Sequence, residues 1–174
     1  TTLLAEVTDR EEYIDFLNKE ISKYISKIMV TESNQQDSQY ISALFKVSGN
    51  LERIGDHAIN ICEYTKLIEE KHIKFSKEEI AEIQEMQKVS MEALTLLENI
   101  EENSKENIKH IEDIEQRMDD MTEVYRKKEM QRMQDGISSD EACILYSEML
   151  TDFERIGDHI LNIGQEMGLG KVTA

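Results

Sequence analysis

The sequence contains no proline and no tryptophan, and only 7 of its 174 residues are glycine. Because proline and glycine interrupt helices, their scarcity removes the usual breaks between short elements. The chain is rich instead in Glu, Lys, Ile, Leu, Met and Gln, which lose little conformational freedom on entering a helix. An all-α fold is therefore predicted, and the length suits one compact unit.

Basic residues are also few, since 20 Lys and Arg face 37 Asp and Glu for a formal net charge of −17. This balance argues against a nucleic-acid partner, because phosphate backbones attract basic patches. Cations or basic proteins are the expected partners. Most acidic side chains solvate the outer faces of helices, so only clustered carboxylates need a further explanation.

No apolar run approaches the roughly 20 residues of a membrane span, and no signal peptide is visible. Cys62 and Cys143 lie inside helical patterns without metal-ligand spacing. They are predicted to be packed, reduced thiols, which fits the cytoplasm. Because the first residue is Thr1 and not methionine, we expect the chain to be cut from a longer protein.

Apolar residues recur at spacings of three and four along five stretches, which is the period of a helix. Polar breaks at residues 31–36, 71–76 and 134–139 favour an antiparallel bundle over a coiled-coil rod. Capping pairs are predicted to open the second to fifth helices: Ser33 with Gln36, Ser76 with Glu79, Asn103 with Glu106, and Ser138 with Glu141.

An internal repeat relates the second and fifth stretches, since residues 51–61 and 153–163 are identical at 8 of 11 positions. The preceding helices match in the same frame, with Glu11-x-x-Ile-Asp15 against Glu115-x-x-Met-Asp119. We therefore predict a first helical repeat over residues 1–70, a second, three-helix repeat over 76–168, and a tail at 169–174.

The third helix has no counterpart in the first repeat, which is therefore predicted to lack its first helix. Without that helix, the first hairpin leaves an apolar seam uncovered. A second subunit, in a homo-oligomer, or an attached domain is the expected cover.

Helical spacing places paired carboxylates on the outer face of each hairpin. Such groups repel one another unless a cation neutralises them. Oxygen ligands suit hard ions such as Mg²⁺, Mn²⁺, Ca²⁺ or ferric iron, and argue against a structural zinc site with thiolate ligands. The predicted metal ligands are Glu11, Asp15, Glu52 and Asp56 in the first repeat, and Glu115, Asp119, Glu154 and Asp158 in the second.

Other repeated residues flank these carboxylates. Arg53 and Arg155 are predicted to orient the ligands, to bind an anion, or to form ordinary ion pairs within a helix. The other residues predicted to support the site are Asn60, Asn162, and two histidines, His57 and His159, which either ligate or form hydrogen bonds between helices. Gly55 and Gly157 stand mid-helix at a cost of about 1 kcal/mol each, offset by a close helix approach or by space that the site needs.

The duplicated Glu-Arg-Ile-Gly-Asp-His-x-x-Asn segments and their upstream Glu-x-x-x-Asp pairs resemble the PhoU family of phosphate-uptake regulators over nearly the whole chain. The resemblance implies two three-helix bundles in tandem. It also implies multinuclear metal clusters, with iron in some members, on the eight carboxylates named above.

The same resemblance implies a cytoplasmic regulator without catalytic activity. Free-standing family members attenuate a phosphate ABC transporter and its sensor histidine kinase. Related domains follow the membrane part of sodium/phosphate cotransporters, and the absent first helix favours this fused type.

The residues also bear on two other functions. A di-iron oxidase needs Glu-x-x-His on two facing helices, whereas the only match is Glu69-x-x-His72 at a helix end. Enzyme activity is therefore not expected. The stronger alternative is a metal-free helical interaction module whose duplicated surface docks a basic partner.

Overall fold

The computed structural model describes residues 2–31, 34–98 and 104–172. These residues form five helices: α1 (Thr2–Thr31), α2 (Gln35–Glu70), α3 (Lys77–Glu98), α4 (Ser104–Gln134) and α5 (Asp140–Val172). The all-α prediction is confirmed. None of the helices in these ranges combines the length and the hydropathy that a membrane crossing requires.

The helices form two hairpins that meet side by side. α2 packs against α1 on one side and α5 on the other, and α4 packs against α5. From Lys46 to His57 along α2, the contacted residues run backwards along α5, from Glu166 to Asp152, so the two helices are antiparallel. α3 packs against both α4 and α5, and therefore covers the second hairpin.

The hydrophobic core lies in the second half of the chain. It is built from α3, α4 and α5, and its members are Met86, Val89, Ala93, Ile111, Ile114, Met118, Tyr146, Leu150, Phe153, Ile156 and Ile160. Among the described residues of α1 and α2, Ile25 is the only buried side chain of a large apolar residue. The seam of the first hairpin is open, with Leu17, Ile21 and Leu44 exposed.

The helix starts confirm one predicted cap and correct another. At α3, the Glu79 N–H donates to Ser76 Oγ and the Ser76 N–H donates to a Glu79 carboxylate, which forms the predicted capping box. At α5 the prediction of Ser138 was wrong by one residue.

Ser139 accepts the Ala142 N–H at 3.2 Å, whereas Ser138 is buried and donates to Glu79 at 3.4 Å. At α2, Asn34 Oδ1 accepts the Gln36 N–H at 3.0 Å. The predicted caps Ser33 and Asn103 lie outside the described residues.

A buried ion-pair cluster joins α3 to the second hairpin. Arg132 on α4 lies 2.8 Å from Glu82 on α3 and 2.8 Å from Glu129, and Tyr146 on α5 donates to Glu82. Burial alone would raise the pKa of Glu82, but hydrogen bonds from Arg132, Tyr146 and Lys128 outweigh it and lower the pKa. Glu82 is therefore a carboxylate stabilised in its charged form.

Candidate metal centre

Three predicted ligands of the second repeat converge in the structure. Glu115 and Asp119 lie one turn apart on α4, and Asp158 faces them from α5. Each offers one carboxylate oxygen, and these oxygens lie within 4.8 Å of one another. In the described ranges this is the one group of three acidic, histidine or cysteine side chains that converges so closely.

Gly157 brings α5 close to α4 beside this cluster. A Cβ added at Gly157 would lie 3.1 Å from Met118 Sδ, which is tighter than ordinary packing. The glycine therefore leaves room for the Met118 side chain, and its neighbour Asp158 is placed next to α4. The predicted close approach is made by a side chain and not by the backbone.

The charges of this cluster disfavour one another. Burial raises the pKa of Glu115, and the nearby charges of Asp119 and Asp158 raise it further. Burial and the charge of Asp158 likewise raise the pKa of Asp119. The ionised carboxylates are held together at a cost in free energy that a bound cation would relieve.

Two neighbouring arginines partly offset this charge. Arg155 Nη1 lies 2.9 Å from Asp158 Oδ2, which is the intrahelical ion pair anticipated as one alternative. Glu154, the fourth predicted ligand, lies 3.5 Å from Arg126, which also donates to Thr151. Glu154 is thus at the edge of the cluster, where it contributes charge.

The four carboxylates of the first repeat also lie near one another. Burial and the charge of Asp56 raise the pKa of both Glu11 and Glu52, and Asp15 contributes to both shifts. A lysine is part of this group, since Lys19 Nζ lies 2.5 Å from Asp15 Oδ2. The first cluster therefore already contains one cation.

The repeated histidines and asparagines lie at the contact between α2 and α5. His57 Nδ1 is 2.6 Å from Asp152 Oδ1, and His159 Nδ1 donates to Asn50 Oδ1 at 2.8 Å. The two imidazole rings stack with centroids 5.5 Å apart. Asn60 donates to Asp152, and Asn162 to Asn50. Each repeat thus forms hydrogen bonds with the other.

Comparison with known proteins identifies the family of the chain. A family model of the PhoU domain matches residues 1–65 and, a second time, residues 78–167. The chain belongs to the PhoU domain family. The earlier resemblance, drawn from the repeated motif, is thereby confirmed.

Individual PhoU proteins share both sequence and fold with the chain. The "Phosphate-specific transport system accessory protein PhoU homolog 1" of Thermotoga maritima is 29% identical over 168 residues, which cover 95% of this chain and 72% of that protein. The crystal structure of the phosphate transport system regulatory protein PhoU from Streptococcus pneumoniae superposes with a TM-score of 0.83. It is 17% identical, and the match covers 99% of this chain and 81% of that one.

Three residues of this PhoU domain were missed in the sequence. Asn50 and Asp152 each lie one position before the repeated segments, so extending the repeat by one residue would have paired them. Lys19 occupies the position that Glu123 has in the second repeat. A comparison of charges between the two copies would have shown that their carboxylate clusters differ.

Proposed function

We propose that this protein is a PhoU-type regulator of phosphate transport that binds metal ions at its carboxylate clusters. The observation that carries the metal proposal is the convergence of Glu115, Asp119 and Asp158 from two helices. Carboxylate oxygens at such spacing suit hard cations, among them Mg²⁺, Mn²⁺ and iron.

The surroundings of these carboxylates favour a metal site over a set of independently solvated side chains. The raised pKa values of Glu115 and Asp119 come from burial and from the neighbouring acidic groups. Glu154 lies nearby as a further oxygen donor, since its charge contributes to the raised pKa of Glu115. Arg155 would orient Asp158.

We propose a second, weaker site in the first repeat. Glu11, Asp15, Glu52 and Asp56 supply the same kinds of oxygen atoms. Lys19 lies against Asp15, however, and a metal ion would compete with its ammonium group. Arg155 and Arg126 likewise lie beside Asp158 and Glu154 in the second repeat. Among the described residues, however, only the second repeat brings three carboxylates within 4.8 Å of one another, so we propose it as the tighter site.

The proposed partner is a phosphate transporter. The Thermotoga maritima relative is named as an accessory protein of a phosphate-specific transport system, which supports this assignment. The chain would act at the cytoplasmic face of the membrane, either as a separate protein or as a cytosolic domain of a sodium/phosphate cotransporter. A sensor histidine kinase is the second proposed partner, and the role is regulatory and not catalytic.

The metal proposal is tested by elemental analysis of protein purified without chelator. We expect bound metal in the wild type and a loss of most of it in Asp119→Asn with Asp158→Asn. Asp120→Asn is the matched control, because Asp120 is exposed and adjacent in sequence. If no metal copurifies or rebinds, or if the control loses as much metal as the double variant, the proposal is wrong.

A metal-free interaction module is the second candidate. The Lys19–Asp15 ion pair favours it, because it shows that protein cations can also neutralise these carboxylates. In that case a basic partner would bind equally well to chelator-treated and to metal-loaded protein. The same elemental analysis, combined with a partner-binding assay, distinguishes the two functions.

A further inference from the structure

A groove of about 550 Å³ lies between α2 and α5, beside the first carboxylate cluster. Its lining includes several hydrogen-bond donors: Lys46, Asn50, Arg53, Asn162 and Gln165. We infer that this groove binds a small protonated oxyanion of the phosphate class. The inference rests on the proposed function for its biological meaning, whereas the binding itself requires no metal.

The two copies of the repeat differ in charge along this groove. In the register of the repeat, Lys46 replaces Glu148, Asn50 replaces Asp152, and Gln165 replaces Glu63. Each of these three differences removes a negative charge from the groove, whereas Glu166, which replaces Tyr64, adds one. In a chain with a net charge of −17, this groove has as many basic as acidic side chains, with Lys46 and Arg53 against Glu52 and Glu166. It therefore repels an anion less than the acidic remainder of the surface does.

Arg53 supplies a guanidinium group whose charge acts on the neighbouring Glu52 but which makes no direct polar contact with the described residues. Its repeat counterpart Arg155 pairs with Asp158 at 2.9 Å. Arg53, in contrast, is exposed and forms no hydrogen bond or ion pair with the described residues. A planar guanidinium matches two oxygens of a tetrahedral anion, and the side-chain amides of Asn162 and Gln165 add neutral donors.

Two acidic residues also line the groove, and they bear on which oxyanion it prefers. Glu166 accepts from Lys46 Nζ at 2.8 Å, so its charge is offset while acceptor sites remain. Glu52 lies at the edge shared with the first carboxylate cluster. Carboxylates repel a fully deprotonated anion, but they can accept a hydrogen bond from a protonated one. Phosphate carries a proton near neutral pH and sulfate does not, so phosphate is the better fit.

The test is isothermal titration of the chelator-treated chain with inorganic phosphate at pH 7.5, with sulfate in a parallel titration. Arg53→Gln is expected to weaken phosphate binding about 10- to 100-fold, the effect of losing charge-assisted hydrogen bonds. Gln165→Glu restores the acidic residue of the other copy and should weaken binding in the same direction. Arg117→Gln, which removes a distant positive charge on α4, should stay within about twofold of wild type.

Absence of phosphate binding to the metal-free chain would overturn the inference. Sulfate binding as tightly as phosphate, or equal losses in Arg53→Gln and Arg117→Gln, would also overturn it. Because chelator removes metal, an anion that binds only to metal-loaded protein is a metal ligand, and that result counts against the groove. Failure of the metal proposal alone would leave phosphate binding to metal-free protein intact, so the two proposals fail separately.

Discussion

The two halves of this molecule carry the same repeated hairpin in different packing environments. Phe153 in the second half is 6% exposed, whereas Leu51, its counterpart in the first half, is 46% exposed. Tyr146 is fully buried, whereas its counterpart Leu44 is 42% exposed. The difference is α3, which packs on the second hairpin. The repeat therefore specifies the hairpin, and a third helix completes the core.

The halves also differ in how a third helix would be held. In the second half, Glu129, Arg132 and Tyr146 form the buried ion-pair cluster with α3. In the repeat register, the first half has Ile25, Ile28 and Leu44 at these positions. The first seam is thus complementary to an apolar surface, while the second is complementary to a helix with buried carboxylates.

Truncation of core side chains should give the largest difference between the halves in the free energy of unfolding. Phe153→Ala is expected to lower the free energy of unfolding by about 3–5 kcal/mol, because it removes a buried aromatic side chain and leaves a cavity. The matched Leu51→Ala should cost less than about 1 kcal/mol, because its side chain is half exposed. Urea denaturation measures both. Equal costs would mean that the first seam is covered in solution.

The ion-pair cluster should give the next largest effect. Arg132→Met leaves Glu82 and Glu129 without their main cation, and we expect a loss of about 2–4 kcal/mol at pH 7. Because the pKa of Glu82 is lowered in the folded state, the stability it contributes is present above its unfolded pKa and is lost as pH falls through its folded pKa. The loss in Arg132→Met should therefore shrink below about pH 4. The conservative Ile28→Met in the first half, measured by the same denaturation series, should change little.

Neutralising the carboxylate clusters should have a smaller effect of opposite sign, an increase in the free energy of unfolding. The folded-state pKa values of Glu115 and Asp119 are raised, so their ionised forms destabilise the fold at neutral pH. In chelator, Glu115→Gln with Asp119→Asn should raise the free energy of unfolding by about 0.5–1 kcal/mol at pH 7.

This gain should fade as pH falls through the raised folded pKa values toward the unfolded ones, because the wild-type carboxylates then become neutral as well. Glu11→Gln with Asp15→Asn should give a smaller gain, since Lys19 loses its partner. Denaturation of both variants and the wild type at pH 7 and at pH 4 measures how these gains depend on pH. A destabilised second-half variant in chelator would contradict the charge argument.

Substitution of the repeated glycines should give the smallest difference in stability between the two halves. Gly55→Ala places a Cβ 3.7 Å from Ile14, an ordinary contact, so we expect up to about 1 kcal/mol of stabilisation from helix propensity. Gly157→Ala places it 3.1 Å from Met118 Sδ, so displacement of Met118 should consume that gain. Thermal unfolding of the two metal-free variants compares them. A Gly157→Ala protein at least as stable as Gly55→Ala would show that Met118 moves at no cost.

The sequence predicted the helices, the hairpin repeat and the open first seam, because these follow from local periodicity and from a duplicated pattern. The register of the Ser76–Glu79 cap was also readable, since capping depends on neighbours three residues apart. The cap at Ser138 was misplaced because that hydroxyl bonds to Glu79 on another helix, a contact that local pattern does not contain.

The candidate site was predictable in part for the same reason. Spacing placed Glu115 and Asp119 on one face of α4, and the repeat supplied Asp158 from α5. The pairing of Glu154 with Arg126, and of His57 with Asp152, depends on how the helices pack against one another. Those contacts arise between residues 28 and 95 positions apart, beyond the range of helical periodicity.

The most direct test is isothermal titration calorimetry of the chelator-treated chain with Mn²⁺, in the wild type and in two matched variants. We predict two binding events of unequal affinity, with the tighter one lost in Asp119→Asn and retained in Asp15→Asn. The account would be contradicted if Mn²⁺ did not bind, or if Asp15→Asn removed the tighter event while Asp119→Asn retained it.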